Sequence, residues 1–279
     1  MNQKRTVAVI TGASAGIGEE LARVFARHGH RLLLIARRQQ RLVALADELE
    51  PGGPRPLVLP LDLSEPDAAA RISDYLAAEN LEPDTIVNNA GYGLLGHAST
   101  LDRAEQLRMI DLNCRTLTDL SLSFIEPLAR HRGGILNVAS VAGFLPGPGM
   151  AVYYATKAFV LSFSEALHHE LAPQGIRVTA LCPGPVPTEF QARAGIHDEH
   201  IPRALTVAPA RVAEEAYRGL LAGRRVVAPG LFTKFVTQVP RFMPRGALIA
   251  ATGARQSARR RSVSPAPKVT ANPSPKPNS

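Results

Sequence analysis

Short, almost uninterrupted apolar runs alternate with longer segments of helical periodicity from the start of the chain. Val7 to Thr11 is β-rich, Gly18 to His28 carries helix-forming residues, and Arg31 to Ala36 is nearly continuously apolar. A run without polar alternation suits a strand of a parallel sheet, which is covered on both faces. The pattern recurs as a helix over Arg38 to Glu50, a strand over Pro56 to Pro60, a helix over Glu65 to Glu79 and a strand over Thr85 to Asn88. A long helical region over Leu101 to Leu128 and a strand over Gly134 to Ala139 come next. A helix over Ala151 to Leu171 and a strand over Arg177 to Leu181 lead into a Pro-rich turn, a helix over Pro209 to Ala222 and the strand-like Arg225 to Ala228. Such alternation predicts an α/β fold, a doubly wound parallel sheet in a three-layer αβα arrangement.

Three stretches depart from the pattern. Glu189 to Pro209 has little periodicity and reads as a substrate lid, with an irregular surface excursion as the alternative. Leu231 to Ala251 sets aromatic and basic residues around two prolines. It is expected to pack on the domain or on a sister subunit, the alternatives being a membrane-surface or substrate-covering role. From Gly253 onward, five Pro and five Ser among 27 residues leave scarcely an apolar side chain, too little to offset the entropy of ordering. Residues 1–252 are therefore expected to form one domain and residues 253–279 a disordered basic tail.

Composition narrows the class. At 279 residues and 45% hydrophobic content the chain can bury one substantial core. Six of the eight net positive charges fall on Arg255, Arg259, Arg260, Arg261, Lys268 and Lys276, so the basicity belongs to the tail and implies no nucleic-acid-binding face. Tail-mediated binding to RNA or an anionic membrane is a rival reading. Cys114 and Cys182 lack metal-ligand spacing and read as core, and no metal is expected. The apolar run at the N-terminus is too short for a signal peptide and no stretch spans a membrane, so a cytoplasmic location is expected.

Within this frame a few residues can carry chemistry. Tyr153 and Lys157 lie four apart on one helix, on one face. A phenol with a pKa of about 10 is a poor acid near neutrality, and lowering it by about 3 units requires about 4 kcal/mol. A unit charge at 4 Å supplies about that at an effective dielectric of about 20. Taken alone, the pair is more commonly an ordinary amphipathic contact. The turn T-G-A-S-A-G-I-G places Gly12, Ser14, Ala15, Gly16, Ile17 and Gly18 between the first strand and its helix, where backbone N–H groups and the helix dipole favour a pyrophosphate. The next strand ends in Arg37 and Arg38, with no acid to bind ribose hydroxyls, which favours a phosphorylated ribose and hence NADP, Arg37 being the expected contact. Solvent-facing arginines are the alternative. Asp62, beside Leu63, closes the third strand as an adenine contact or a helix cap. Asn88, Asn89, Ala90 and Gly91 leave room for a cofactor. Asn113 is an unfavourable residue for mid-helix, and Ser140 sits at the carboxyl edge of the sheet as a cap or a substrate contact. The G-x-S-x-G elbow is absent around Ser140, and His131, His168 and His169 have no placement that demands a base, which argues against a hydrolase.

Together the glycine turn, N-N-A-G at Asn88 to Gly91, Asn113, Ser140, Y-Y-A-T-K at Tyr153 to Lys157 and P-G-P-V-P-T at Pro183 to Thr188 resemble the short-chain dehydrogenase/reductase family over roughly Arg5 to Thr188. Ser140 stands thirteen residues before Tyr153, the register that selects Tyr153 over Tyr154. The resemblance implies a Rossmann fold and an NADPH-dependent oxidoreductase acting reversibly on a carbonyl or secondary alcohol. It implies that Tyr153 transfers the proton, Ser140 orients the oxygen, Lys157 stabilises the phenolate and binds the nicotinamide ribose, and Asn113 holds a relay water. Ser14 and Arg37 resemble 2′-phosphate contacts, Asp62 and Asn89 flank the adenine and its ribose, and Val186 and Thr188, beside Pro183 and Gly184, meet the nicotinamide. A homodimer or homotetramer through the helices bearing Asn113 and Tyr153 is expected from the same likeness. Phe144, Leu145, Met150 and Phe190 suggest an apolar substrate moiety, a 3-oxoacyl group among them. The competing class is a catalytically silent NADP sensor or scaffold.

Overall fold

The computed structural model describes residues 5–196 and 206–261. Seven parallel strands form one sheet in the order β3-β2-β1-β4-β5-β6-β7: β1 (Arg5–Thr11), β2 (Leu32–Ala36), β3 (Leu57–Pro60), β4 (Leu81–Asn88), β5 (Gly134–Val138), β6 (Arg177–Leu181) and β7 (Val226–Val227). The expected doubly wound α/β architecture is what forms. The order reverses direction between β1 and β4, and at their carboxyl ends that reversal opens a crevice.

Each central strand is buried on both sides, so its alternate residues feed two cores. On one face Ile10, Leu34 and Leu136 pack with α1 (Gly16–Arg27), α2 (Gln39–Leu49) and α9 (Pro209–Leu221) through Phe25, Leu42 and Tyr217. On the other, Val9, Leu33 and Ile135 meet α3 (Ala68–Ala78) and α7 (Ala151–Leu171) through Ile72 and Leu167. This side also carries α4 (Arg103–Ile110), α5 (Leu117–Ser123) and α6 (Ile125–Arg130).

Two stretches before the C-terminal segment differ from the sequence expectation. β4 starts at Leu81, four residues early, because Glu82 and Pro83 break the apolar pattern. Pro83 is accommodated where the pairing with β1 shifts register between Val7 and Ala8. The region 101–128 is not one helix. Residues Asp111–Thr116 form a π turn, and the chain restarts after Phe124, where Pro127 lacks the N–H that would continue the ladder.

A buried polar ladder ties the layers under the crevice. Asn88 Nδ2 donates to Ser121 Oγ (3.0 Å) and Asn137 Oδ1 (2.9 Å), and Asn137 Nδ2 donates to Ser164 Oγ (3.0 Å). The two asparagines are register partners in β4 and β5. Asn137→Ala removes the centre of this ladder and is expected to cost about 2 kcal/mol, read as a lower denaturant midpoint with an unchanged slope.

The C-terminal segment carries α8 (Glu189–Ala194), α10 (Leu231–Gln238) and α11 (Arg245–Arg261). α11 corrects the expected onset of the tail at Gly253: the chain stays helical to Arg261, and Leu248 and Gln256 on it are buried. The rest of the expected tail, 262–279, and residues 197–205 of the expected lid lie outside the described residues.

Candidate active site

The crevice at the carboxyl edge is a cleft of about 630 Å³. Its floor is the turn after β1. Gly12 and Gly16 adopt φ +66° and +60°, the left-handed region glycine tolerates. A Cβ on Gly12 would stand 2.7 Å from Asn89 Nδ2, and one on Gly16 3.0 Å from Thr188 Cβ. Space at this helix start is thus kept for backbone alone, the condition for close approach of a pyrophosphate to the N–H groups of α1. Gly12, Ser14, Ala15, Gly16 and Ile17 line the cleft. Gly18 is buried behind the turn, where a Cβ would run into the Gly12 carbonyl.

Asn89 braces this turn. Its Nδ2 donates to the carbonyls of Thr11 (2.9 Å) and Gly12 (3.2 Å), while Thr11 Oγ1 accepts from the backbone of Asn89 and Ala90. Ala90, Gly91, Asp62 and Leu63 also line the cleft. Asp62 Oδ1 accepts from Ser64 N (3.0 Å) and Ser64 Oγ (2.7 Å), closing a turn. The cap of α3 is Asp67, so Asp62 does not cap that helix. Its pKa lies below the ordinary carboxylate value: burial pushes it up, and the Ser64 hydrogen bonds and Arg37 outweigh that.

The two arginines separate. Arg37 points to Asp62 at 3.6 Å. Arg38 donates to Ser14 O (3.0 Å) and Ser14 Oγ (3.3 Å), and its Nη1 meets Glu189 at 2.7 Å. Arg38 thus lies against the glycine turn through Ser14, whereas Arg37 stands beside Asp62.

At the opposite end, Ser140, Tyr153 and Lys157 converge. Ser140, two residues beyond the end of β5, caps a 3₁₀ turn, its Oγ accepting from Ala142 N at 3.1 Å, and its hydroxyl pulls the Tyr153 pKa down against burial. Lys157 Nζ donates to Val138 O at 2.6 Å and lies 5.9 Å from the Tyr153 ring centroid. Burial drives both groups toward their neutral forms: the Tyr153 pKa is pushed well above that of an ordinary phenol, and Lys157 is lowered to about 8. The expected phenolate stabilisation by Lys157 does not set the Tyr153 pKa here: burial raises it, and the opposing downward pull comes from Ser140.

Asn113 sits in the π turn, buried, with Nδ2 donating to Tyr92 O (3.0 Å) and Thr156 Oγ1 (3.1 Å) while Oδ1 accepts from Tyr92 N (3.1 Å). It does not line the cleft, and its amide is spent on fastening the β4 exit to α7. A Cβ on Gly91 would lie 2.8 Å from Asn113 Oδ1 and 3.7 Å from Lys157 Nζ, so the two side chains share one small space.

Pro183, Gly184, Val186 and Thr188 complete the wall. Thr188 and Gln191 form a capping box that starts α8. Tyr92 and Thr252, which the sequence does not single out, line the cleft, as do Arg193 and Ile196 of the expected lid and Phe232, Thr233 and Val236 of the segment for which a substrate-covering role is the alternative. Leu145, Met150 and Phe190 line it as expected, whereas Phe144 packs in a separate cluster. Gln256 was missed as well: its Nε2 donates to Tyr154 Oη at 3.1 Å, fixing the α11 helix to the rim. Leu248, Thr252 and Gln256 recur every four residues, a spacing that carries the signal. Among the described residues no cluster of three His, Cys, Asp or Glu side chains is placed to hold a metal, and no helix is long and apolar enough to cross a membrane.

A family model described as short chain dehydrogenase matches residues 6–198. The NADP-dependent 3-hydroxy acid dehydrogenase YdfG of Salmonella typhi is 38% identical over 191 residues, 67% of this chain and 75% of that protein. A short-chain dehydrogenase from Sphingobium yanoikuyae in complex with NADPH superposes with a TM-score of 0.74 at 33% identity, covering 96% of this chain and 99% of that one. The bulky-bulky ketone specific alcohol dehydrogenase from Comamonas testosteroni superposes with a TM-score of 0.70 at 28% identity, covering 98% of each chain.

Proposed function

The chain belongs to the short-chain dehydrogenase/reductase family, and from that premise we propose that it reduces a ketone or aldehyde reversibly with NADPH. The observation that carries the reading is the convergence of Ser140, Tyr153 and Lys157 at one end of a cleft whose other end is a side-chain-free glycine cradle flanked by Ser14 and Arg38. NADPH, when bound, supplies the hydride. Ser140 holds the carbonyl oxygen of the substrate, and Tyr153, kept protonated by burial, donates its proton to that oxygen. The charged Lys157, on the same helix face, favours the phenolate left behind. Asn113 is a positioning residue that anchors Tyr92 and Thr156 around them.

The substrate end is walled by Leu145, Met150, Tyr154, Phe190, Ile196 and Val236, which favours a bulky apolar carbonyl compound. The Comamonas protein, named for bulky-bulky ketones, supports that reading. Arg193, 4.4 Å from the Tyr92 ring on the same wall, favours a carboxylated substrate as the second reading. A panel of aryl and long-chain ketones against short charged oxo acids separates the two by kcat/KM with NADPH. NADPH binding without turnover on either set would point instead to a sensor or scaffold.

Arg38→Ala is expected to raise the KM for NADPH about 10- to 100-fold while leaving that for NADH within a few-fold, since it removes charge-assisted hydrogen bonds to the 2′-phosphate. Arg37→Ala should do less. A larger effect of Arg37→Ala would return the phosphate role to the residue the sequence favours. A homodimer or homotetramer through α4, α5 and α7 is part of the proposal, supported by the exposed Leu107, Ile110, Leu122 and Phe159 on those helices.

A further inference from the structure

α10 divides two environments. Thr233 and Thr237 are buried, and Phe232 and Val236, also four apart, line the cleft. Leu231 and Phe235, four apart on another face, are 85% and 66% exposed, and Phe242, shortly after the helix, is 84% exposed. Met243 and Ile249 continue the exposed apolar series into α11. Large side chains projecting this far have almost no wall around them, so a rigid pocket is not prepared on this side.

Along the chain, the charges of this segment are of one sign. Lys234 and Arg245 are exposed within it, and the sequence contains no Asp or Glu after Glu215. An isologous contact between two copies through this face would set the cations of the segment against cations. The exposed apolar residues of α4, α5 and α7 already provide a different face for self-association. Projecting aromatic and aliphatic side chains on a segment whose own charges are all cationic match the interface of a negatively charged bilayer, into which apolar groups insert while the cations meet headgroups.

We propose that α10 and the start of α11 dock on an anionic membrane surface through Leu231, Phe235, Phe242, Met243 and Ile249, with Lys234 and Arg245 at the headgroup level. The cleft wall made by Phe232 and Val236 then belongs to the docked helix, which places the substrate end of the cleft next to the lipid. The docking stands apart from the reaction proposed above, because it is read by binding and not by turnover.

The test is co-sedimentation of the full chain with phosphatidylcholine vesicles containing phosphatidylglycerol, against pure phosphatidylcholine. Binding is expected to the anionic vesicles, weakened at high salt. The triple variant Leu231→Ser, Phe235→Ser, Phe242→Ser is expected to lose it by roughly 100-fold or more. NADPH binding by that variant, read by fluorescence, checks that it is folded. Absence of wild-type binding to anionic vesicles overturns the proposal. So does retention of binding by the triple variant with loss on truncation after Arg261, which would assign the lipid contact to the terminal segment alone. A smaller oligomer of the triple variant by light scattering, without any vesicle binding by the wild type, would assign the face to a second copy.

Discussion

Tyr153→Phe is expected to lower kcat for carbonyl reduction by about 10³-fold, with NADPH affinity unchanged, because it deletes the proton donor and nothing else. The phenylalanine ring keeps the packing of the tyrosine against Tyr154 and Phe190, whose centroids lie 6.1 and 5.4 Å away. What disappears is one hydroxyl, whose pKa Ser140 pulls down against burial. Burial keeps that hydroxyl protonated far above neutral pH, so the wild-type donor is available across the whole range in which the enzyme would be assayed. Tyr154→Phe is the control. It loses a hydrogen bond to Gln256 at the rim and is expected to change kcat no more than a few-fold. Single-turnover rates with saturating NADPH decide the matter, and loss of less than tenfold in Tyr153→Phe would move proton transfer to another group.

The sheet was legible because its central strands are buried on both faces, and a continuous apolar run as short as Leu32–Ala36, followed at once by two arginines, fits a buried strand and is too short for a buried helix. Its limits were legible to within two residues wherever no proline intervened. Pro83 hid the first half of β4 because proline is read as excluding a central strand, and only the register shift opposite it shows how the sheet absorbs it. Pro127 lies in the periodic stretch 101–128, and what periodicity could not show was which side of it would stay helical. The glycine turn and the Ser140, Tyr153, Lys157 set were legible as spacings. Spacing fixes which residues share an edge of the sheet, and the convergence follows from the topology.

Three features were not legible, each for a physical reason. Arg37 and Arg38 are adjacent where β2 leaves the sheet, so their directions depend on one backbone torsion pair. Arg38, at the start of α2 with φ −85° and ψ 84°, turns to Ser14 while Arg37 turns to Asp62. Asn113 reads as a misplaced helix residue because a π turn has no composition of its own. Its role emerges only from the three hydrogen bonds it makes to Tyr92 and Thr156. The α11 helix reads as tail because two of the three residues on its inner face, Thr252 and Gln256, are polar. Gln256 is buried with its Nε2 bonded to Tyr154 Oη, Thr252 is half-buried with its Oγ1 bonded to the Leu248 carbonyl of the same helix, and averaged composition registers neither.

Lys157 supplies the second large effect, on stability against pH. Its side chain is buried, and desolvation lowers its pKa from the ordinary 10.5 to about 8. Below pH 8 the ammonium is charged in both folded and unfolded chains, and the folded chain bears the burial cost. Between 8 and 10.5 the folded chain releases the proton while the unfolded chain still holds it, so the unfolded state binds more protons and stability rises with pH. Above 10.5 neither state is charged and the gain is complete. At about 1.36 kcal/mol per pKa unit the span amounts to about 3 kcal/mol. Tyr153, Cys114 and Cys182 are shifted upward by burial and act in the opposite sense at alkaline pH, so the total curve does not isolate the lysine. The difference between wild type and Lys157→Met does, because the methionine fills a similar volume without a proton to lose. That difference is expected to move in favour of the wild type by about 3 kcal/mol as pH rises from 8 to 10.5 in denaturant titrations. A flat difference would mean that Lys157 keeps its charge in the folded chain. The Val138 carbonyl at 2.6 Å would then be its sufficient solvent, and the ammonium would be present at every assay pH to favour the Tyr153 phenolate.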